Sequence, residues 1–349
     1  MRPEVAIAGR AVGPDHPPYV ICEISGNHNG SLNRALTLVD AAADTGCDAI
    51  KLQTYTPDTL TIDADGPGFR IDGGPWDGRT LHDLYGEAHT PYAWHAALFE
   101  RARARGVTVF STPFDESAIE LLEGLGAPAY KIASFEAVDH ALIRAAAATR
   151  KPMILSTGIA SFEEIGEAVE SARSGGCEQL ILLHCVSAYP APVADANVRT
   201  VPDLARSFGV VSGLSDHTLG SAASVAAVCL GGAVIEKHFT LARADGGPDA
   251  GFSLEPAEFA ALVRDCRDAW SALGRVHYDL KGSEAANRQF RRSLYVVRDV
   301  PAGEALTAAD VRSIRPGFGM APKHYEQVLG RNAARPLLRG EPLQWDMIA

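Results

Sequence analysis

Residues 210–239 read VVSGLSDHTLGSAASVAAVCLGGAVIEKHF. A short run rich in β-branched residues, Val210 to Ser215, leads into Asp216 and His217, and a second run, Ala233 to Phe239, carries Glu236, Lys237 and His238 at its end. Two strand-length apolar runs separated by enough chain for a helix make a βαβ unit of roughly 30 residues. Working outward from this unit, runs of the same kind occur at Tyr19 to Ser25, Ala49 to Thr54, Val107 to Thr112, Ala129 to Ala133, Met153 to Ser156 and Leu180 to Cys185. The segments between them show helical spacing, as in Leu32, Ala35, Leu36, Val39 and Ala43, or Phe259, Leu262, Val263, Cys266, Trp270 and Leu273. Ser161 with Glu164 forms a capping-box pattern at one helix start. Eight strands, each followed by a helix, is the count that closes an α/β (β/α)8 TIM barrel, here over roughly residues 15 to 275. The alternative, a doubly wound open sheet, finds no G-x-G-x-x-G after the first run.

The composition narrows the function classes. Thirty-two Lys and Arg against 43 Asp and Glu give a formal charge of −11 over 349 residues, which repels a nucleic-acid backbone unless the basic residues gather on one face. The tightest basic cluster, Arg288 with Arg291 and Arg292, is too short for that. Hydrophobic residues at 46% and charged residues at 21% are ordinary globular usage. No window reaches the roughly 18 apolar residues of a membrane span, and Met1 to Arg10 has no secretory pattern, so a cytoplasmic protein without a membrane partner is expected. The six cysteines are scattered with no C-x-x-C, which reads as reduced, buried thiols.

In such a barrel the active site lies at the carboxyl ends of the strands, so polar residues there point to chemistry. Every run ends in them: Glu23; Lys51 and Gln53; Ser111 and Thr112; Lys131, Ser134 and Glu136; Ser156 and Thr157; His184; Ser215 to His217; Glu236 to His238. Lys51, Lys131 and Lys237 with neighbouring hydroxyls suit a phosphate or carboxylate, with a Schiff-base lysine as the alternative. His217 and His238 end adjacent strands, where both imidazoles can meet one divalent ion or each can cap a hydrogen-bond network; Glu23 lies across the barrel. His184 ranks below them and reads as a core histidine.

Two connections are unusual. Tyr55 to Pro91 far exceeds the usual βα loop of 2–6 residues, is rich in Gly and Asp, and is expected to act as a lid or binding loop. Arg243 to Ser253 repeats that chemistry in Asp245-Gly246-Gly247-Pro248-Asp249. From about Lys281 the pattern changes to short β-like runs, such as Leu294 to Val297, divided by Pro and Gly turns. The expected organisation is a barrel domain over 1–280, a linker over 281–290 and a small β domain over 291–349.

Taken together, Gly26-Asn27-His28-Asn29-Gly30, Lys51-Leu52-Gln53, Ser111-Thr112-Pro113-Phe114-Asp115, Tyr130-Lys131-Ile132-Ala133-Ser134, Leu155-Ser156-Thr157-Gly158, Gly213-Leu214-Ser215-Asp216-His217 and Ile235-Glu236-Lys237-His238-Phe239 resemble the sialic (nonulosonic) acid synthases. The tail, with Arg291-Arg292-Ser293-Leu294 and Arg315-Pro316-Gly317-Phe318-Gly319, resembles their antifreeze-like (SAF) domain. Trp76-Asp77-Gly78-Arg79-Thr80-Leu81, Glu87-Ala88-His89-Thr90-Pro91 and Ser187 look like the pseudaminic acid branch, whereas His184 stands where that branch commonly has Lys.

The resemblance implies condensation of phosphoenolpyruvate with the open-chain aldehyde of an N-acylated amino sugar, giving a nine-carbon 2-keto acid and phosphate. For the pseudaminic branch that sugar is 2,4-diacetamido-2,4,6-trideoxy-L-altrose; N-acetylneuraminate or legionaminate synthesis is the alternative, and a Schiff-base aldolase is the alternative of a different class. It further implies a divalent metal on His217 and His238, Mn2+ first and Co2+ or Mg2+ after it, with Glu23 or Glu136 as the base. Lys51, Thr112, Lys131, Ser134 and Ser156 would hold the phosphate and carboxylate. Gln53, Tyr189, Asp249 and the lid would hold the sugar, and Ser187 and Glu236 complete the substrate-binding set. Arg315 would arrive from a second subunit, which implies a domain-swapped homodimer.

Overall fold

The computed structural model describes residues 3–349, so Met1 and Arg2 lie outside the described residues. The chain opens with an antiparallel hairpin, β1 (Val5–Ile7) and β2 (Arg10–Val12), which the sequence reading did not anticipate. Eight parallel strands follow: β3 (Tyr19–Glu23), β4 (Ala49–Thr54), β5 (Thr108–Pro113), β6 (Tyr130–Ile132), β7 (Met153–Ser156), β8 (Leu180–Cys185), β9 (Val211–Asp216) and β10 (Val234–His238). They close in sequence order, with β10 pairing β3 so that His238 lies beside Glu23. The expected (β/α)8 barrel is thus observed, and β4, β7 and β8 have the expected limits.

Two apolar layers explain the closure. Outside the strands, Val20, Leu52, Ile132, Leu155 and Ile235 pack under helix residues such as Leu38, Phe99, Leu122, Ile143 and Phe259. Inside, Tyr19, Ile21, Phe110, Ile154, Leu183, Val211 and Val234 fill the lower barrel, and Val5, Ile7 and Val12 of the hairpin join this cluster. With the lower barrel filled and the hairpin packed into its apolar contents, only the upper interior is left to hold polar groups. Gly213 shows how tightly β9 and β10 meet, because a Cβ there would lie 2.1 Å from the Val234 carbonyl oxygen.

Helices start where short polar side chains take up free backbone N–H groups. Ser31 caps Leu32–Asp44, and Ser161 with Glu164 forms the expected capping box before Phe162–Ser174. Five cysteines are buried as expected, but Cys229, at the end of helix Ala222–Cys229, is exposed. Among the described residues, no helix is long and apolar enough to cross a membrane.

The chain divides into two compact units, the second running from Arg275 to Ala349. This second unit contains the antiparallel pair β11 (Ser293–Val296) and β12 (Val311–Ile314). Its own core holds Leu294, Val296, Val300, Leu306, Val311, Met320, Leu337 and Leu343.

Candidate active site

The polar upper interior of the barrel opens into a cavity of about 430 Å³. Lys51 and Gln53 from β4, Lys131 from β6, Ser156 from β7, Cys185 from β8, Ser215 from β9, and Glu236 and His238 from β10 line its floor, with Ser134, Glu136 and His217 just beyond their strands. The floor charges alternate. Lys51 Nζ lies 2.5 Å from Glu23 Oε2 and 3.4 Å from Glu236 Oε1, while Lys131 Nζ lies 3.8 Å from the same Glu236 oxygen and donates to the Ile132 carbonyl at 3.0 Å. Burial pushes Glu236 upward, but the Lys131 and Lys51 ammonium groups prevail and hold it below the usual range. Burial lowers Lys131 in spite of Glu236. Both lysines face carboxylates, unlike the isolated lysine an imine pocket needs.

The two candidate bases differ. Glu23 is fully buried and does not line the cavity; its Oε1 accepts from the Ser25 N–H at 2.9 Å and from Gln53 Nε2 at 3.3 Å, and its Oε2 faces Lys51. Glu136 lines the cavity, its Oε2 is buried without a hydrogen-bond partner, and burial pushes its carboxyl up to about 7. Ser156 Oγ, Glu236 Oε2 and His238 Nδ1 are likewise buried without partners in the same cavity. Thr112 lies behind the floor and accepts from Lys51 Nζ at 3.1 Å. Gly158 donates its N–H to Ser134 Oγ at 3.1 Å, and a Cβ there would fall 2.2 Å from Ser187 Oγ, so only glycine lets these loops meet.

His217 and His238 do converge, with ring centroids 5.3 Å apart. His217 Nδ1 donates to the Val186 carbonyl at 2.9 Å, so the neutral ring carries its lone pair on Nε2; burial disfavours its charged form, but Cys185 and that carbonyl outweigh burial and raise it above the usual imidazole range. Burial, with the nearby positive groups, holds His238 well below the usual imidazole range and so neutral, and Asp249 Oδ2 lies 3.8 Å from its Nδ1. Two imidazoles with a nitrogen available suit a borderline divalent metal. Among the described residues no group of three or more His, Cys, Asp or Glu is placed to hold a metal ion. Tyr189 packs on this pair, 4.4 Å from the His217 ring, and Phe252 lies 5.0 Å from the His238 ring.

The long connection after β4 is more ordered than a loop. It holds helices Pro57–Leu60 and Leu81–Ala88, with a small fold-back between them in which Ile71 N–H donates to Arg79 O and Leu81 N–H to Phe69 O. Leu60, Ile71, Trp76, Leu81, Leu84 and Tyr85 from this segment line the cavity. The Trp76 indole N–H donates to the Pro248 carbonyl at 2.8 Å, tying this segment to the loop after β10 that carries Asp249.

Not every polar strand end reaches the cavity. Lys237, expected at the mouth, points to the opposite side of the wall and pairs with Asp216 at 2.9 Å, because successive side chains on β10 alternate faces. Ser111 likewise bonds Thr54 at 2.6 Å outside the barrel, and His184 Nε2 meets the Ala196 carbonyl at 2.8 Å, as a structural histidine does. Ser187 does not line the cavity; its hydroxyl is 3.9 Å from Cys185 Sγ. Arg315 is carried by the second unit, directly after β12. Ser215 and Cys185 line the cavity although the sequence reading assigned neither a role. Ser215 stands two positions before His217, and Cys185 two positions after the inward-facing Leu183, and that period-two parity was the available signal.

A closed parallel barrel with lysines, hydroxyls and paired imidazoles at its mouth, followed by a small β unit, defines a barrel enzyme for small anionic substrates. The chain belongs to the NeuB family, whose model matches residues 38–278, and the SAF domain model matches residues 291–349. The chain is 45% identical over 330 residues to the pseudaminic acid synthase of Campylobacter jejuni, covering 95% of this chain and 96% of that protein. It is 43% identical over 333 residues to the pseudaminic acid synthase of Helicobacter pylori, covering 95% and 98%. Among solved structures, the N-acetylneuraminic acid (sialic acid) synthetase of Leptospira borgpetersenii, in complex with citrate, matches with a TM-score of 0.73 at 32% identity, over 82% of this chain and 95% of that one. The family resemblance drawn from the motifs is borne out.

Proposed function

We propose that this protein is a pseudaminic acid synthase, condensing phosphoenolpyruvate with 2,4-diacetamido-2,4,6-trideoxy-L-altrose. The observation that carries the reading is one cavity in which two buried lysines, a set of hydroxyls and two available imidazoles converge. Pseudaminic acid synthases match this chain over 95% of its length.

Lys51 and Lys131, with Ser134, Ser156 and Ser215, receive the phosphate and carboxylate of phosphoenolpyruvate, and Ser156 Oγ gains the partner it lacks. Gln53, Tyr189 and Asp249 orient the open-chain sugar so that its aldehyde carbon faces the methylene carbon of the enol ether. His217 and His238 would hold a divalent metal, Mn2+ in our reading, which would supply Lewis acidity toward the aldehyde oxygen. The methylene carbon forms the new carbon–carbon bond, and the aldehyde oxygen takes a proton. Water adds at the former enol carbon and gives one proton to Glu136, which balances the proton taken by the aldehyde oxygen; the carbon–oxygen bond to phosphate then breaks, the remaining hydroxyl becomes the keto group, and its proton leaves with the released phosphate. Glu136 has the free oxygen and the near-neutral titration this step needs. Glu23 has Oε1 held by the Ser25 N–H and Oε2 ion-paired with Lys51, and burial raises its carboxyl in spite of that lysine.

The test incubates chelator-stripped protein with Mn2+, phosphoenolpyruvate and either the diacetamido-altrose or N-acetylmannosamine, with mass spectrometry of the product and phosphate release in parallel. A nonulosonate from the altrose derivative alone is expected. Product from N-acetylmannosamine would move the protein to the neuraminate branch.

We extend the reading to a cytoplasmic homodimer in which Arg315 reaches the cavity of the second copy. Arg315 is exposed, and no ion pair or hydrogen bond engages its side chain among the described residues. Around the barrel mouth the loops after β6, β7, β8 and β9 expose Phe135, Ile159, Val193 and Leu219, an apolar rim suited to cover by a partner. Sedimentation at micromolar concentration is expected to give a dimer, and Arg315→Ala to raise KM for phosphoenolpyruvate about tenfold or more. A monomer with full activity would end this part of the reading.

A further inference from the structure

The cavity has two unlike halves. Its floor, from the barrel strands, is charged or hydroxylated, while its roof, from the segment between β4 and β5, is apolar. The roof's fold-back satisfies its own backbone through the Ile71–Arg79 and Leu81–Phe69 hydrogen bonds, and Asp77 accepts from Gly73 N–H at 2.5 Å on the exposed side. Trp76 commits its single polar atom to the Pro248 carbonyl, and its ring lies 5.7 Å from that of Tyr189, tilted by 52°. The hydroxyls this segment brings to the cavity are those of Tyr55, whose ring packs on Tyr85 and Phe114, and of Tyr85, which feels the Glu136 carboxyl of the floor. Elsewhere the roof presents hydrocarbon and ring faces.

An acceptor sugar held with its aldehyde carbon at the floor must send its far carbons against this roof. A hydroxyl placed against those hydrocarbon faces gives up water and finds no partner. A methyl in the same place gains from burial. We propose that Ile71, Trp76, Leu81 and Leu84 form the specificity-determining surface of this enzyme, selecting an acceptor whose far carbon is a methyl group over one carrying a hydroxyl there. The proposal rests on the reading of the floor as the phosphoenolpyruvate and aldehyde half of the site. Because an apolar pocket rejects an added hydroxyl only modestly, the roof sets a preference of about 10–100-fold.

The experiment compares the diacetamido-trideoxy sugar with its 6-hydroxy analogue, which differs at one far carbon. Calorimetric binding of each sugar to the Mn2+-loaded protein is measured alongside phosphate release with phosphoenolpyruvate, for the wild type, Leu84→Asn and Ile71→Ser. The wild type is expected to prefer the 6-deoxy sugar about 10–100-fold in both readouts, and each variant to reduce that preference to within a few-fold. KM for phosphoenolpyruvate should stay unchanged in both variants, which separates a roof effect from general damage. No preference in the wild type, or the same preference in both variants, overturns the proposal. A binding preference that follows the roof while no phosphate is released sinks the floor reading and leaves the roof assignment standing.

Discussion

The ends of β9 and β10 carry polar groups on both sides of the barrel wall, and the two sides are finished differently. On the outside, Asp216 Oδ1 accepts from Thr218 N–H and Oγ1 at 2.9 and 2.8 Å, and Oδ2 accepts from Ser224 Oγ at 2.6 Å and Lys237 Nζ at 2.9 Å. Lys237 also donates to the Thr218 carbonyl at 2.6 Å. On the inside, one residue away, Glu236 Oε2 and His238 Nδ1 are buried with no hydrogen-bond partner. A satisfied buried network fastens structure, whereas unsatisfied polar atoms gathered in one cavity are kept at a loss of stability that only a ligand relieves. Charge and burial alone do not separate the two sides; hydrogen-bond satisfaction does.

Substitutions on the two sides put that contrast at risk. His238→Ala is expected to lower kcat/KM by about 10³-fold while shifting the urea unfolding free energy by no more than about 1 kcal/mol, since Nδ1 has no hydrogen bond to lose. Lys237→Met, one residue along, is expected to lose about 3–5 kcal/mol of stability, because it strands the Asp216 carboxylate in a dry site. The double change Lys237→Met with Asp216→Leu should recover most of that loss. Equal destabilisation by His238→Ala and Lys237→Met would erase the distinction.

The same contrast marks what was legible in the sequence. Parallel strands buried on both faces read as continuous apolar runs, so Ala49–Thr54, Met153–Ser156 and Leu180–Cys185 were visible to the residue. The hairpin of β1 and β2 was not, since strands of three residues are too short to show a period. The convergence of His217 with His238, and of Lys51 with Lys131, followed from barrel topology once the strands were counted. Lys237 was grouped with the mouth lysines because strand-end residues were taken together, although its parity with Glu236 and His238 places it on the other face. The apolar roof depends on how residues 69–81 fold back on themselves, and no spacing rule conveys that. Hydrogen-bond satisfaction is a property of three-dimensional neighbours, so the feature that best separates chemistry from fastening is one the sequence does not display.

The contrast sharpens to two carboxyls: Glu23, behind the cavity, has Oε1 hydrogen-bonded and Oε2 ion-paired with Lys51, whereas Glu136 lines the cavity with Oε2 unpartnered. Burial raises Glu136 from 4.5 to about 7, so the folded protein prefers its neutral form. The stability this gives is fully present below pH 4.5 and is lost as pH rises through 7. Glu136→Gln stays neutral and avoids that loss: its unfolding free energy should match the wild type in acid and exceed it above pH 7, by up to about 3 kcal/mol. Activity should move the other way. If ionised Glu136 takes the proton of the attacking water, wild-type kcat/KM for phosphoenolpyruvate rises to a plateau with a midpoint near 7. The glutamine variant should lack that limb and run about 10²-fold below the plateau, with its Mn2+ affinity unchanged. A limb that survives in Glu136→Gln assigns the proton to another group, and Glu23→Gln becomes the next variant to compare; a limb lost together with Mn2+ binding places the titration at the imidazoles instead.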